Sequence, residues 1–269
     1  MQKNYIYKNH QLILETQAKV SIHERGFLFG DGIFETLKII NGEIFDFKAH
    51  ESRIKKALKT LKFSAEISDL EKKSLNLIKK NSIKNGILRI SISRGIGSAG
   101  YLPTYESKAL IIIETLAERK MPKKIRLGIS KITTPKIPFK SMNALPYILT
   151  KIEAQEKNCF DCVMLSDKKF IAETSSANIF WVKNGIIYTP HESCNIMLGT
   201  VREKLLKITS LKIKKVKVKI STLKNADEIF LTNSSYLILS VDELELNENY
   251  RRKLHKRIAK TIYPILLRC

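Results

Sequence analysis

Two Asn-Gly dipeptides, Asn41-Gly42 and Asn184-Gly185, each stand between runs rich in apolar residues. A type I′ turn needs positive φ at both central residues, and Asn-Gly supplies this at little steric cost. Each dipeptide therefore predicts a two-residue β-hairpin, one of them with Phe34–Ile39 returning through Glu43–Phe47. Helical periods are interleaved with these hairpins. Asp46 is placed to cap a helix to about Leu61 that carries His50, Ile54, Ala57 and Leu61 on one face, and Ser68–Lys80 forms a second amphipathic stretch. The expected fold class is α/β with mixed, largely hairpin-built sheets.

The rest of the chain extends this pattern. Asn4–Lys8 and Gln11–Thr16 read as short strands, Gly30-Asp-Gly32 as a tight turn, and Gly86–Arg94 and Lys108–Thr115 as strands. The charged stretch Ala117–Lys124 marks the best boundary, giving a small N-terminal domain over 1–116, a linker over 117–124 and a larger domain over 125–269. Beyond it come a strand over Ile125–Lys131, a proline-bearing segment to Lys140, and a helix to about Lys157 in which Pro146 is tolerable only near the first turn. Three strands, a helix from Gly199 to about Ser210, further strands and a basic C-terminal helix complete the expectation. In Leu211–Ile220 apolar and basic residues nearly alternate, as in a half-buried strand with a bulge at Lys214-Lys215.

With 269 residues, 43% of them apolar, the chain can bury the cores of one large or two modest domains. No run of 18 apolar residues occurs and Met1–Tyr5 lacks a signal-peptide core, so a cytoplasmic protein with no membrane partner and four reduced cysteines is expected. Cys159 and Cys162 have CxxC spacing, but a structural zinc wants a second ligand pair, and Asp161–Leu165 reads as a buried strand; no metal is expected. The net charge is +22, with 37 lysines against 11 arginines spread along the chain. The densest basic run has no interleaved aromatics to stack bases, which argues against nucleic acid; the excess can instead draw a small anionic substrate.

Several segments carry chemistry. Gly95-Ile-Gly97-Ser-Ala-Gly100 spells GxGxxG after a strand, yet Tyr101-Leu-Pro103 and another strand follow where a dinucleotide site requires a helix, so it reads as a glycine loop at a pocket rim. Leu198-Gly199-Thr200-Val201-Arg202 opens a helix with glycine, a backbone cradle for phosphate, and Leu231–Ser235 ends an apolar strand in hydroxyls and an amide. Arg53 lies beside the apolar stripe of its helix, Glu173 ends a strand before small residues, and Lys140 stands where an extended segment gives way to a helix. Each has an ordinary structural reading: a capped helix, a loop, a solvated arginine, a turn-flanking carboxylate. Together they supply an amine for a Schiff base, an anion for a pyridinium nitrogen, two phosphate cradles and a phosphate-directed arginine, which is a complete set for pyridoxal 5′-phosphate.

In order, Glu24–Thr36, His50–Arg53, Lys140–Asn143, Glu173–Phe180 and Thr232–Ser234 resemble the class IV (fold type IV) pyridoxal-phosphate enzymes over nearly the whole chain. That family includes branched-chain aminotransferases, D-amino-acid aminotransferases and 4-amino-4-deoxychorismate lyases. The resemblance implies a two-domain fold like that of the D-amino-acid aminotransferases, and a homodimer in which the partner's small domain closes each pocket. It implies Lys140 as the Schiff-base lysine and proton shuttle, and Glu173 on the ring nitrogen with Ser176 and Asn178 beside it. Arg53, Gly199, the amides of Thr200 and Val201, and Asn233 with Ser234 would hold the phosphate. Val201 stands where the family often has threonine, so a hydroxyl is lost there.

Thr36, in Gly30-Asp-Gly-Ile-Phe-Glu-Thr36, is more typical of the lyases and is assigned to the catalytic group. Ser93–Tyr101 likewise resembles the lyase loop Ser-Arg-Gly-x-Gly-x-Arg-Gly-Tyr, with Ala99 in place of the second arginine. The arginine–histidine carboxylate trap of D-amino-acid aminotransferases is not evident. The expected function is 4-amino-4-deoxychorismate lyase, giving 4-aminobenzoate and pyruvate for folate biosynthesis. The alternative is a class IV aminotransferase acting on D-amino acids or branched-chain amino acids.

Overall fold

A computed structural model describes residues 4–98, 100–103, 107–118, 120–247 and 250–268; Ala99 and Cys269 lie outside the described residues. The chain divides into two compact units, Met1–Arg119 with Phe139–Ala144, and Lys120–Pro138 with Leu145–Cys269. Both combine helices with a sheet, the mixed α/β architecture expected from the interleaved periods.

In the first unit the elements are β1 (Tyr5–Lys8), β2 (Gln11–Leu14), α1 (Arg25–Phe29), β3 (Gly32–Ile40), β4 (Glu43–Ile44), α2 (Phe47–Leu61), α3 (Leu70–Lys80), β5 (Gly86–Ser93) and β6 (Leu110–Ala117). Its sheet runs β2-β1-β6-β5-β3-β4, antiparallel throughout. Side chains alternate across β3, so Ile33, Leu37 and Ile39 point into a core with Leu88, Ile90 and Ile92 of β5, covered by Ile54 of α2 and Leu77 of α3. The β3–β4 hairpin turns at Asn41 and Gly42 with φ of 54° and 85°, as a type I′ turn requires.

Two details differ from the sequence pattern. The returning strand stops at Ile44, because Asp46 adopts φ 56° and Phe47 already begins α2 with its ring buried. Asp46 makes no side-chain cap hydrogen bond to that helix. In Glu24–Gly30 a five-residue helix, α1, replaces a plain approach to the turn, capped by Glu24 Oε2 accepting from the Phe27 amide at 2.9 Å. So short a helix leaves no periodicity to read.

The second unit holds β7 (Arg126–Thr133), α4 (Leu145–Glu156), β8 (Asp161–Leu165), β9 (Ile171–Thr174), β10 (Asn178–Lys183), β11 (Ile186–Pro190), α5 (Thr200–Leu206), β12 (Ile213–Val216), β13 (Glu228–Asn233), β14 (Leu237–Ser240), β15 (Glu243–Asn247), β16 (Tyr250–Lys253) and α6 (Ile258–Arg268). Its sheet runs β12-β11-β10-β9-β8-β7-β15-β16, with β13 pairing both β10 and β14. Parallel pairs β11–β12, β7–β8 and β7–β15 are set among antiparallel ones. Trp181, Ile179, Ile229 and Leu231, all from the β10–β13 pair, fill its core.

Four strands, not three, follow α4, because a polar turn breaks the Asp161–Thr174 stretch into β8 and β9. The alternating lysine tract forms a strand only over Ile213–Val216. That strand pairs with β11 in unbroken register, without the expected bulge, and the chain then enters a 3-10 turn at Ile220–Asn225. The helix after Gly199 ends at Leu206. At the C-terminus, buried Glu228 accepts hydrogen bonds from the amides of Arg257, Ile258 and Ala259 at 2.8 to 2.9 Å, tying α6 to β13. These donors are the otherwise unpaired amides of a helix start. Glu228→Gln is expected to destabilise the protein by about 2 kcal/mol, as befits hydrogen bonds to a charged acceptor, read as a lower urea midpoint at unchanged slope.

Candidate active site

Within the first unit, Lys140 is held by the head of β3. Its carbonyl accepts from the Phe34 amide at 3.0 Å, the Met142 amide donates to the Gly32 carbonyl at 2.9 Å, and Ser141 makes an antiparallel bridge with Ile33. Gly32 permits this approach: a Cβ there would lie 2.8 Å from the Met142 sulfur and 2.6 Å from the Ile92 carbonyl. The Lys140 ammonium sits 4.3 Å from the centroid of the Phe34 ring, a cation–π contact. Thr36 lies two residues further along β3, on the same face as Phe34. Directly opposite on β5 is Arg89, whose guanidinium also covers Phe34, at 4.5 Å, and lies 3.7 Å from Glu114. No sequence motif singled out Arg89; its place opposite Thr36 follows from strand register.

On the other face of β3, Glu35 falls in the core row between Ile33 and Leu37 and is 2% exposed. Arg53 of α2 donates to it from Nε at 2.7 Å and from Nη2 at 2.5 Å, and His50 Nδ1 is 2.7 Å away. Burial alone would raise this carboxyl, but the charge of Arg53 and the hydrogen bonds from His50 and Arg53 outweigh it and hold it at about 2, below the ordinary 4.5. Arg53 is therefore an oriented, half-buried guanidinium gripped by a carboxylate.

Sequence reading passed over Arg25. It is buried and donates to Asp31 at 2.9 Å and to the carbonyls of Ser98, Gly100 and Tyr101 at 2.7 to 2.9 Å, fixing the glycine loop that follows β5. Arg94 also grips Asp31, at 2.8 Å. Burial would raise the Asp31 carboxyl, and the two arginines together leave it below its ordinary value. The Gly95–Tyr101 segment contains no helix among its described residues.

In the second unit, Glu173 is the penultimate residue of β9 and is 2% exposed. Its Oε2 accepts from the Met197 amide at 2.8 Å and from Asn178 Nδ2 at 3.2 Å, and its Oε1 accepts from the Tyr147 hydroxyl at 3.1 Å. Asn178, at the start of β10, also donates to the Met197 carbonyl at 2.7 Å. Ser176 donates to buried Asp161 at 3.0 Å, which shapes the turn after Glu173.

Gly199 caps α5 with no side-chain hydrogen bond, and a Cβ there would lie 2.2 Å from Asn178 Oδ1, so only glycine lets the helix start this close to β10. The hydroxyls of Thr200 and Ser234 lie 3.3 Å apart, while Val201 points into the core, 2% exposed. A hydroxyl thus faces Ser234 from Thr200 and none does from Val201. Asn233 holds the turn: its Oδ1 accepts from the Ser235 and Tyr236 amides and its Nδ2 donates to the Ser176 carbonyl.

These residues fit a phosphorylated pyridine. The uncapped start of α5 and two adjacent hydroxyls suit an anion, the buried hydroxyl of Thr232, two residues before Ser234, has no hydrogen-bond partner, and Glu173 is an acceptor-only group that takes donors from Tyr147, Asn178 and the Met197 amide. Elsewhere in the unit, burial pushes the Cys162 thiol up to about 12 and raises that of Cys159, which disfavours the thiolates that redox or metal chemistry would use.

Residues 32–244 match the model of the amino-transferase class IV family. The chain belongs to that family of pyridoxal-phosphate-dependent enzymes. It is 28% identical over 252 residues to a putative branched-chain-amino-acid aminotransferase of Methanocaldococcus jannaschii, covering 89% of this chain and 88% of that protein. It is also 28% identical over 251 residues to a D-alanine aminotransferase of Staphylococcus aureus, covering 89% of each. Among solved structures, a 4-amino-4-deoxychorismate lyase from Pseudomonas aeruginosa superposes with a TM-score of 0.84 at 22% identity, over 97% of each chain, and so shares the fold.

The Glu35 cluster yields a stability test. Glu35→Gln leaves Arg53 without its buried counter-charge and is expected to cost about 3 kcal/mol at neutral pH. Because the folded carboxyl titrates at about 2, below its ordinary 4.5, its contribution is complete above the ordinary value and is lost as pH falls towards 2. Urea denaturation at pH 7 and pH 3 should show the gap between wild type and variant narrowing at the lower pH.

Proposed function

We propose that the chain is a 4-amino-4-deoxychorismate lyase that releases pyruvate and leaves 4-aminobenzoate. The observation that carries this reading is Thr36, a hydroxyl on the β3 face whose neighbour Phe34 contacts the Lys140 ammonium. Threonine here resembles the lyases, and Arg89 opposite offers a cation to an anionic substrate.

Lys140 would hold the cofactor, with Glu173 at its ring nitrogen and Ser176 and Asn178 supporting that carboxylate. The start of α5 at Gly199, Thr200 and Val201, together with Ser234, would hold its phosphate, with Asn233 shaping the turn and Arg53 adding charge. Bound pyridoxal phosphate would supply a sink for the electrons left when a proton departs from the carbon bearing the amino group. Lys140 removes that proton and Glu173 keeps a proton on the ring nitrogen. The carbon–oxygen bond to the three-carbon side chain then breaks, Lys140 returns a proton to that fragment as it leaves as pyruvate, and the six-membered ring becomes aromatic. Thr36 and Arg89 orient the substrate.

A second reading, aminotransferase, is favoured by the names of the curated relatives. There the same first proton is removed, and the amino group passes to a keto acid. A homodimer suits either reading. On α4, Leu145, Ile148, Leu149 and Ile152 form an exposed apolar stripe at helical spacing, a face that a second copy would bury.

Incubating the reconstituted protein with aminodeoxychorismate separates the readings. The expected outcome is 4-aminobenzoate and pyruvate without added keto acid, with the rate reduced by about 10³-fold in Lys140→Ala. Turnover only when an amino acid and a keto acid are both present would instead establish the transaminase.

A further inference from the structure

Tyr147 lies outside every motif that pointed to the site. It sits in the first turn of α4, half-buried, and its hydroxyl reaches the end of β9 to donate to Glu173 Oε1 at 3.1 Å. Two nearby α4 residues differ from it: Leu145 and Ile148 are exposed. Two further donors to Glu173, the Met197 amide and Asn178, both fall on Oε2. A carboxylate gripped at one oxygen can still rock about that oxygen. A donor on the second oxygen fixes the plane of the group, and it also draws charge away from the lone pair that would face a pyridinium N–H.

We propose that Tyr147 is a positioning residue for Glu173, setting the orientation and acceptor strength of the carboxylate that holds the protonated ring nitrogen of pyridoxal phosphate. This rests on the reading above that Glu173 is the ring-nitrogen partner. The phenol suits the task chemically. Burial first, and then the charge and hydrogen bond of Glu173, raise its ionisation above the ordinary range, so it remains a neutral donor at any pH at which the enzyme works. A donor that never ionises adds no charge of its own beside the carboxylate. It tempers Glu173 without neutralising its charge, which a lysine or arginine in its place would do.

The test compares wild type, Tyr147→Phe and Glu173→Gln, each reconstituted with pyridoxal phosphate. Three quantities are read: the dissociation constant of the cofactor, the pH midpoint of its visible absorption band, and kcat and KM on the substrate identified above. The phenylalanine variant loses one hydrogen bond to a charged acceptor. It is expected to bind the cofactor about three- to tenfold more weakly and to lose about tenfold in kcat. KM should stay within about twofold, because the contact acts on the electron sink and not on substrate binding. The band midpoint should move in the direction that Glu173→Gln moves it, by a smaller amount.

If Glu173→Gln alters the band and Tyr147→Phe matches wild type in band midpoint and cofactor affinity, the inference about Tyr147 is overturned while the cofactor assignment stands. If neither variant alters the band, the assignment of Glu173 itself fails. A Tyr147→Phe protein that merely melts earlier, with an unmoved midpoint and an unchanged kcat, would make Tyr147 a packing residue and also refute the idea. Melting of the apo-protein reports whether the variant folds. Should it not fold, Tyr147→Met serves the same comparison, since only the loss of the donor matters.

Discussion

The backbone pairing between Lys140 and the head of β3 is the contact on which the placement of the candidate lysine depends. Phe34 donates to the Lys140 carbonyl, Met142 donates to Gly32, and Gly32 lacks the side chain that would push the segment away. Lys140 is thereby anchored to a strand whose other face is fully packed, so its ammonium is delivered to a defined place over the Phe34 ring. A lysine on a free loop would sample many positions; one registered against a core strand samples few. That anchoring also explains why Phe139–Ala144 groups with the first unit although the flanking chain belongs to the second.

β3 therefore has two jobs on its two faces. One face carries Phe34, in contact with Lys140, and Thr36. The other, otherwise apolar, buries Glu35, and a carboxylate in such a row persists only because Arg53 and His50 reach it from α2. Arg53 is thus tied to the same strand as the lysine. In the second unit the equivalent principle acts on Glu173, whose donors come from three separate elements: Tyr147 of α4, Asn178 of β10 and the Met197 amide ahead of α5. In both units the candidate group is held by contacts to the surrounding structural elements.

Much of this was legible from residue order. The Asn41-Gly42 and Asn184-Gly185 hairpins formed because their geometry is local, and α2 and α3 formed where the apolar stripes predicted. The motifs around Lys140, Glu173 and Gly199 identified the family, since each needs a particular residue type at a particular place. What could not be read were features too short for periodicity, such as α1, and features decided by competition. The lysine-rich tract alternates like a long strand, yet pairs with β11 over only four residues, because the chain must then turn at Ile220–Asn225 to bring β13 beside β10.

The sequence by itself determined the fold class, the family and its cofactor, because turn chemistry, hydrophobic period and motif order are written in neighbouring residues. Only tertiary structure decided that Arg89 lies opposite Thr36, that Arg25 holds the glycine loop, that the hydroxyl of Thr200 meets that of Ser234, and that Tyr147 donates to Glu173. Each of these joins residues 26 or more positions apart, and contacts at that range are set by strand register and helix packing, which no local pattern encodes.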